Sequence, residues 1–192
     1  HILFPGSSCA GTVVCRPISI SLSMRPVTEP KDVKATENVF TCTSDDLPGL
    51  LPPRKAHGNK GTCGKVLLIA GSEGMSGAAC LAARAAYRSG CGLVRVFTPE
   101  CNRIPVQISI PEAIVTTYSE SLLAEEKLKD ALSWADVCGI GPGLGTSQTA
   151  RWLLQYVLKN YSGPLVLDAD ALNLLAADPE LFLLVCQRKD PA

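Results

Sequence analysis

From Val66 onward, short apolar runs alternate with longer segments of helical periodicity. Apolar runs this short predict strands that are buried on both faces. They occupy residues 66–70, 92–99, 112–118, 136–141 and 164–170, and the helical segments occupy 76–89, 121–135, 147–161 and, as helical turns, 171–185. Such an order favours a mostly parallel sheet with helices on each side. We therefore predict an α/β fold with three layers, αβα.

Ligands on open parallel sheets bind at the carboxyl ends of the strands, so the loop at 71–77 (GSEGMSG) is a candidate site. Its glycines at 71, 74 and 77 do not have the G-x-G-x-x-G spacing of a dinucleotide fingerprint. We expect Ser76 to cap the following helix, whose start offers backbone N–H groups and a positive dipole end. The alternative is a tight turn that needs glycine only for its conformation.

Two further loops follow predicted strands at the same edge. The loop at 139–149 (GIGPGLGTSQT) suits contacts to phosphate or ribose through its amides, but it lacks the G-K-[ST] ending of a P-loop. Its alternative is a sharp strand–helix turn. Farther along, Asp168, Asp170 and Asn173 follow a strand, where carboxylates bind a metal, hold a ribose hydroxyl or act as a base. Capping of the next helix by Asp170 would explain one aspartate, but not both.

Outside these loops, Lys60 precedes the first strand in NKGTCGK and is either a phosphate ligand or a solvated lysine. Eighteen basic and eighteen acidic residues cancel, which argues against DNA or an anionic membrane surface as partner. No stretch approaches the ~20 apolar residues of a membrane span. The nine cysteines lack metal-ligand spacing, so we expect reduced thiols in a cytoplasmic protein. Because the chain begins at His1, we expect it to be a piece of a longer protein.

Three motifs in order resemble the NAD(P)H-hydrate dehydratase domain, which has a ribokinase-like fold: NKGTCGKVLLIAGSEGMSGAA, ADVCGIGPGLG and PLVLDADALNLLA. The N-terminal HILFPGSSCAGTVVCRPISIS is similar to the end of the NAD(P)H-hydrate epimerase domain, although Arg16–Ser19 stands where that family has an Asp-Ile-Gly run. The resemblance implies an epimerase-like tail at 1–24, a linker at 25–46 and the N-terminal part of the dehydratase domain at 47–192.

The resemblance also implies an ADP-dependent lyase that repairs damaged nicotinamide cofactor. The S form of hydrated NADH or NADPH is phosphorylated on its ring hydroxyl by ADP or ATP, with Mg²⁺, and phosphate then leaves. It further implies a homo-oligomer with no nucleic-acid or membrane partner. By the same resemblance, the residues that contact the hydrate would be Ala78, Gly141, Gly143, Gly145, Asp168, Asp170 and Asn173.

The family's HPGE-like loop, lysine-glycine turn and GSGD-like helix start supply the nucleotide's anion site and the catalytic aspartate. None of them precedes Ala192, so no catalytic residue and no metal ligand is assigned. The predicted sheet is also incomplete. We therefore expect the 192 residues alone to be inactive and poorly soluble. Two other functions stay open at this point. One is a kinase of the same fold for a vitamin precursor or sugar, and the other is a non-catalytic nucleotide-binding module.

Overall fold

The computed structural model describes residues 58–119 and 125–188. The predicted epimerase-like tail at 1–24, the linker at 25–46 and the predicted start of the dehydratase domain at 47 lie outside these ranges. Within them, strands and helices alternate as the sequence predicts. They are β1 (Lys65–Ile69), α1 (Ser76–Arg88), β2 (Leu93–Pro99), α2 (Arg103–Ser109), β3 (Ile114–Tyr118), α3 (Glu125–Trp134), β4 (Val137–Ile140), α4 (Gln148–Asn160), β5 (Leu165–Leu167), α5 (Asp170–Ala177) and α6 (Pro179–Cys186).

The five strands of the described residues form one sheet in the order β3-β2-β1-β4-β5. Every neighbouring pair is parallel, and Leu67 at the centre of the sheet lies beside Arg95 on one side and Cys138 on the other. The prediction of an α/β fold with a mostly parallel sheet is therefore confirmed. Because all the strands run in the same direction, the loops that follow them meet at one edge.

Helices cover the sheet on both faces and complete the three layers. One face packs on α3, α4, α5 and α6, and the other packs on α1 and α2. The thiol of Cys138 lies in the first of these cores, where burial raises its pKa to about 12, so this cysteine acts as a small apolar side chain. The largest fully buried side chains are Phe97, Leu67, Ile69, Leu128, Ile140, Leu153, Leu154 and Leu181.

Helix α2 is an element for which the sequence analysis made no prediction. Its Ile104 and Ile108 are exposed, whereas its Val106 and the following residue at its end, Ile110, are buried. Apolar residues at every second position hide the helical period, and Pro105 is tolerated because it lies in the first turn, where no intrahelical donor is lost. The described part of the predicted helix 121–135 is α3, and residues 121–124 lie outside the described ranges.

The face that carries α1 and α2 is left open over β4 and β5. A shallow depression of about 230 Å³ lies there, and Val166 of β5 is 56% exposed. The residues that line the depression are mostly apolar: Val66, Leu68, Ala82, Val137, Gly139, Ile140, Pro142, Val166 and Asp168. This part of the sheet therefore presents apolar surface that a two-sided parallel sheet ordinarily buries.

Candidate functional site

Three loops follow β1, β4 and β5, which are adjacent strands of the sheet. We call them the first loop (71–75), the second loop (141–147) and the third loop (168–169). Each begins where its strand ends, so all three lie side by side at the carboxyl edge. The sequence-predicted site residues lie in these loops or in the first turns of α1 and α5.

The first and second loops are joined by a hydrogen bond and by close packing. The N–H of Gly71 donates to the carbonyl oxygen of Pro142 at 2.9 Å. Gly143 lies against α1, where an added Cβ would come within 2.6 Å of the Cβ of Ala78. Its φ of 61° lies in the left-handed region. Ala78 and Gly143 are therefore brought together, and both need to be small.

The second and third loops are joined through Asp170. One carboxylate oxygen of Asp170 accepts a hydrogen bond from the N–H of Gly145 at 2.8 Å, and the other accepts from the side-chain amide of Asn173 at 3.1 Å. The expectation that Asp170 caps α5 is wrong, because Ala169 occupies the N-cap position and no side chain caps this helix. Asp170 instead ties the glycine-rich second loop to the start of α5.

Asp168 differs from Asp170 because its carboxylate is exposed and makes no hydrogen bond or ion pair to the described residues. Its main chain is fixed on both sides, since its N–H donates to the carbonyl of Ile140 at 3.1 Å and its carbonyl accepts from Ala171 at 3.0 Å. Gly141 packs directly on it, and a Cβ there would lie 1.8 Å from the Asp168 carbonyl oxygen. A held backbone with a free carboxylate suits contact with a ligand.

Ala169, between the two aspartates, has a strained backbone. Its φ is 46° and its ψ is −116°, and no other residue besides glycine has a positive φ in residues 58–119 and 125–188. Its carbonyl accepts hydrogen bonds from Leu172 at 3.0 Å and Asn173 at 3.2 Å. Strain of this kind persists only where the neighbouring contacts determine the backbone, as they do here.

The two longer helices at this edge differ in how they begin. Helix α4 is capped by Ser147, whose hydroxyl accepts from the N–H of Ala150 at 3.2 Å. Helix α1 has Met75 at its N-cap and no side-chain cap, so the expectation that Ser76 caps it is wrong. Around Gly77 an added Cβ would meet no atom within 4 Å. The first turn of α1 is therefore both uncapped and open.

Two residues that the sequence analysis did not single out support the first loop from β2. The side-chain amide of Asn102 donates to the carbonyl of Ser72 at 3.1 Å and to the hydroxyl of Thr98 at 2.9 Å. Asn102 and Thr98 are both buried. No motif marks them, but β2 is parallel to β1, so the position of TPECN at the carboxyl end of β2 was the available signal.

A polar cluster lies farther along the same edge, at the ends of β2 and β3. The guanidinium of Arg103 donates to both carboxylate oxygens of Glu100, at 2.6 and 3.0 Å, and the hydroxyl of Thr117 donates to Glu100 as well. Together, chiefly through Arg103 and then Thr117, these bonds lower the pKa of Glu100 to about 2. Glu100 and Arg103 satisfy each other, so we assign neither to a ligand.

Lys60 is not part of the site. It lies in a 3₁₀ turn, Lys60–Cys63, that precedes β1. A Cβ on Gly92, just before β2, would lie 1.5 Å from the carbonyl oxygen of Lys60, which places the turn at the amino edge of the sheet. The interpretation of Lys60 as a phosphate ligand for the loops is therefore wrong.

The described residues also bear on metals and membranes. Within residues 58–119 and 125–188, no three His, Cys, Asp or Glu side chains are grouped so that they could hold a metal ion, and free thiols are found at Cys63, Cys80, Cys91, Cys101 and Cys138. None of the helices in these ranges has the length and apolar character of a membrane crossing.

Comparison with known proteins identifies relatives of the whole loop region. Residues 66–191 match the family model described as NAD(P)H-hydrate dehydratase. The bifunctional NAD(P)H-hydrate repair enzyme of Escherichia coli is 40% identical over 138 residues, which cover 72% of this chain and 26% of the relative. The ADP-dependent (S)-NAD(P)H-hydrate dehydratase of Streptococcus thermophilus is 40% identical, with 71% of this chain and 49% of the relative covered. The bifunctional repair enzyme of Moorella thermoacetica is 34% identical over 94% of this chain and 34% of the relative.

Solved structures agree with these relatives. A ribokinase-like superfamily protein from Enterococcus faecalis superposes with a TM-score of 0.64 at 32% identity, covering 74% of this chain and 51% of the other. An ADP/ATP-dependent NAD(P)H-hydrate dehydratase from Bacillus subtilis, co-crystallised with ATP and Mg²⁺, superposes with a TM-score of 0.59 at 33% identity, covering 71% and 48%. The predicted ribokinase-like fold is thus confirmed, and the chain spans about a quarter to a half of the length of these proteins.

Proposed function

We infer the function from one premise, that the chain belongs to the NAD(P)H-hydrate dehydratase family. We propose that the protein removes water from the S form of hydrated NADH or NADPH and so restores the reduced nicotinamide ring, with ADP or ATP as co-substrate. The relatives' names support this activity, because one is an ADP-dependent (S)-NAD(P)H-hydrate dehydratase and others are bifunctional repair enzymes. The reaction class is that of a lyase acting in nucleotide repair.

The observation that carries the proposal is the joining of the three loops into one rim. Gly71 bonds to the second loop, and Asp170 bonds the second loop to the start of α5. Ala78, Gly143 and Asp168 consequently lie at one edge within the residues that the family model matches. A rim held by its own hydrogen bonds binds a ligand without the cost of ordering the loops at that moment.

The residues of this rim have different roles in the proposal. The free carboxylate of Asp168 accepts a hydrogen bond from a hydroxyl of the hydrate. The uncapped first turn of α1 supplies N–H donors to an anionic group of the substrate, and Gly77 and Gly145 leave room for it. Asp170 and Asn173 both hold the second loop and contact the hydrate, because one bond to each oxygen of Asp170 leaves further lone pairs on its carboxylate.

The nucleotide and the metal are part of the proposal, but the described residues do not form their sites. ADP or ATP supplies the phosphoryl group, and Mg²⁺ neutralises charge on the phosphates. The structure offers no cluster of three metal-ligating side chains in its described ranges, and the motifs that resemblance assigns to the nucleotide's anion site have no counterpart there. We therefore name no metal or nucleotide ligand and derive no step through either.

The organisation outside the described residues is proposed from the sequence. We propose that 1–24 is the tail of an epimerase-like domain, 25–46 a linker and 47–192 the N-terminal part of the dehydratase domain. The similarity to the Moorella repair enzyme covers 94% of the chain, so it extends well into the part before residue 58. This supports a protein that also carries NAD(P)H-hydrate epimerase activity, as the bifunctional relatives are named.

Two further proposals concern the assembly and the cellular location of the protein. We propose that the protein assembles as a homo-oligomer, as the resemblance implies. We also propose that it works in the cytoplasm, because its proposed substrate is a damaged intracellular cofactor. Free thiols at Cys63, Cys80, Cys91, Cys101 and Cys138 support a reducing compartment. Sedimentation of the purified protein at its full natural length tests the first of these proposals.

The test of function uses the protein at its full natural length, purified and given hydrated NADH with ADP or with ATP. We expect the near-ultraviolet absorbance of the reduced nicotinamide ring to return, and to require one of the two nucleotides. Absence of this signal with both nucleotides, together with phosphorylation of a vitamin precursor or sugar, would replace the dehydratase with a kinase of the same fold.

A matched pair of variants tests the site in the same assay. Asp168→Asn removes the free carboxylate at the rim, and we expect kcat/KM for the hydrate to fall roughly tenfold to a hundredfold, the effect of losing a hydrogen bond to a charged group. Asp136→Asn makes the same change at the amino edge, where that carboxylate accepts from the N–H of Lys65, and should leave kcat/KM unchanged. Equal effects of both changes would remove Asp168 from the site.

A further inference from the structure

Asn102 lies in the short turn between β2 and α2, outside every motif that carries the family resemblance, and is 3% exposed. Its side-chain amide donates both of its hydrogens, one to the carbonyl oxygen of Ser72 and one to the hydroxyl of Thr98. The buried hydroxyl of Thr98 therefore fixes the orientation of the amide. Its second hydrogen is aimed at the backbone of the first loop.

The carbonyl of Ser72 is the point at which the first loop is fixed. It accepts the Asn102 amide at 3.1 Å and also the N–H of Met75 at 2.9 Å. The bond from Met75 closes the turn within the loop, and the bond from Asn102 attaches that turn to β2. Since α1 begins at the residue after Met75, the same attachment sets where the open first turn of α1 lies.

Gly71 leaves room for the Asn102 side chain because it has no Cβ. An added Cβ at Gly71 would lie 2.9 Å from the Asn102 amide nitrogen and 3.0 Å from the Thr98 hydroxyl. The same glycine donates to Pro142 at 2.9 Å on the other flank of the loop. The first loop is thus held between β2, through Asn102, and the second loop, through Pro142.

We propose that Asn102 is a positioning residue for the hydrate substrate. It does not touch the substrate, but it acts through Ser72 and the first loop to hold the first turn of α1 and Ala78 in their binding positions. This inference rests on the proposed function for the identity of the substrate. Its structural part, the control of the first loop by one buried amide, is independent of that identity.

The test is Asn102→Asp in the protein at full natural length, a change that preserves the side-chain volume and removes both donors. Amide hydrogen exchange should accelerate at the protons of Gly71 and Met75, because their bonds depend on the position of the loop. In the dehydration assay, KM for the hydrate should rise about tenfold, which is the effect of losing one hydrogen bond to the loop. KM for the nucleotide should stay unchanged, because the first loop is the part of the rim to which Asn102 is bonded.

Two further variants keep the test decisive. Asn160→Asp is the matched control, since the Asn160 amide donates to the carbonyl of Tyr156 at 2.8 Å at the end of α4, away from the rim. It should alter neither the exchange of the first loop nor KM for the hydrate. Thr98→Val removes only the acceptor that orients the Asn102 amide. It should increase the exchange of the first loop and KM for the hydrate, each by a smaller amount than Asn102→Asp. This variant therefore tests the inference even where Asn102→Asp does not fold.

The outcomes separate this inference from the proposed function. Unchanged exchange at Gly71 and Met75 in the folded variants overturns the inference, whatever the activity. A lower kcat with both KM values unchanged, and faster exchange throughout the sheet, overturns it also, because it would show a general loss of stability. Faster exchange confined to the first loop, in a protein whose unmutated form dehydrates no hydrate, supports control of the loop by Asn102 and overturns the proposed function alone.

Discussion

Replacing Ala169 by glycine should stabilise the chain, although a glycine at most positions weakens a fold. The backbone of Ala169 has a φ of 46° and a ψ of −116°, a combination that a residue with a Cβ rarely adopts. Asp168 and Ala171 hold this segment in place by a hydrogen bond of 3.0 Å across it, so the backbone does not relax. Glycine adopts the same backbone without strain.

The size of the effect follows from two opposing contributions. Strain of this kind costs about 2 kcal/mol, and the added freedom of a glycine in the unfolded chain costs about 0.7 kcal/mol. The difference leaves a gain of about 1 kcal/mol in the free energy of unfolding for Ala169→Gly. In a chain of this size, that gain raises Tm by about 3 °C.

Thermal unfolding followed by far-ultraviolet circular dichroism measures this change directly. The matched control is Ala176→Gly, an exposed residue within α5 that has ordinary helical geometry, where we expect a loss of about 1 kcal/mol. The two substitutions are chemically identical and should shift Tm in opposite directions. A lower Tm for both would refute the reasoning, because it would show that the backbone at Ala169 is not strained in solution.

Two other predictions concern the packing of the second loop and the pH dependence of stability. Gly141→Ala should lower the free energy of unfolding by roughly 3 kcal/mol, because its Cβ would lie 1.8 Å from the Asp168 carbonyl oxygen. Gly77→Ala, in open space within α1, should raise the free energy of unfolding by up to about 1 kcal/mol. Equal urea midpoints for the two variants would contradict this packing. Glu100→Gln should flatten the pH dependence of stability. The pKa of Glu100 is lowered from 4.5 to about 2, so the stability that this residue contributes is present above pH 4.5 and is lost as pH falls toward 2. The difference in urea unfolding between the unmutated protein and Glu100→Gln should therefore shrink across that window. A constant difference across that window would show that Glu100 is not paired with Arg103 and Thr117 in solution.

Much of the fold could be predicted from the sequence because buried strands leave a simple pattern. The runs that became β1, β2 and β4 are short, apolar and bounded by glycine, proline or polar residues. Once the strands are parallel, the loops after them must share an edge, which is why three candidate loops were found before the structure. The same rule excludes Lys60, because it precedes a strand rather than following one.

The rest depends on contacts between residues that are distant in the chain. Asp170 has the position of a helix cap in the sequence, but its carboxylate is bonded to Gly145, which lies 25 residues earlier. Asn102 meets Ser72 across 30 residues. No local pattern records such pairs, so the substrate contacts assigned by resemblance remain predictions, whereas the bonds that hold the rim together needed the structure.

The order of the strands also determines when the sheet can be completed during synthesis on the ribosome. β1 lies at the centre, and its partner β2 follows it closely, but its other partner, β4, emerges only about seventy residues later, since Val66 pairs with Val137. Until then the nascent chain holds a half-sheet with one unpaired central edge. Pairing over such a distance is slow and leaves apolar surface exposed in the meantime. For this arrangement, the interval before β4 emerges is when protection by chaperones matters most.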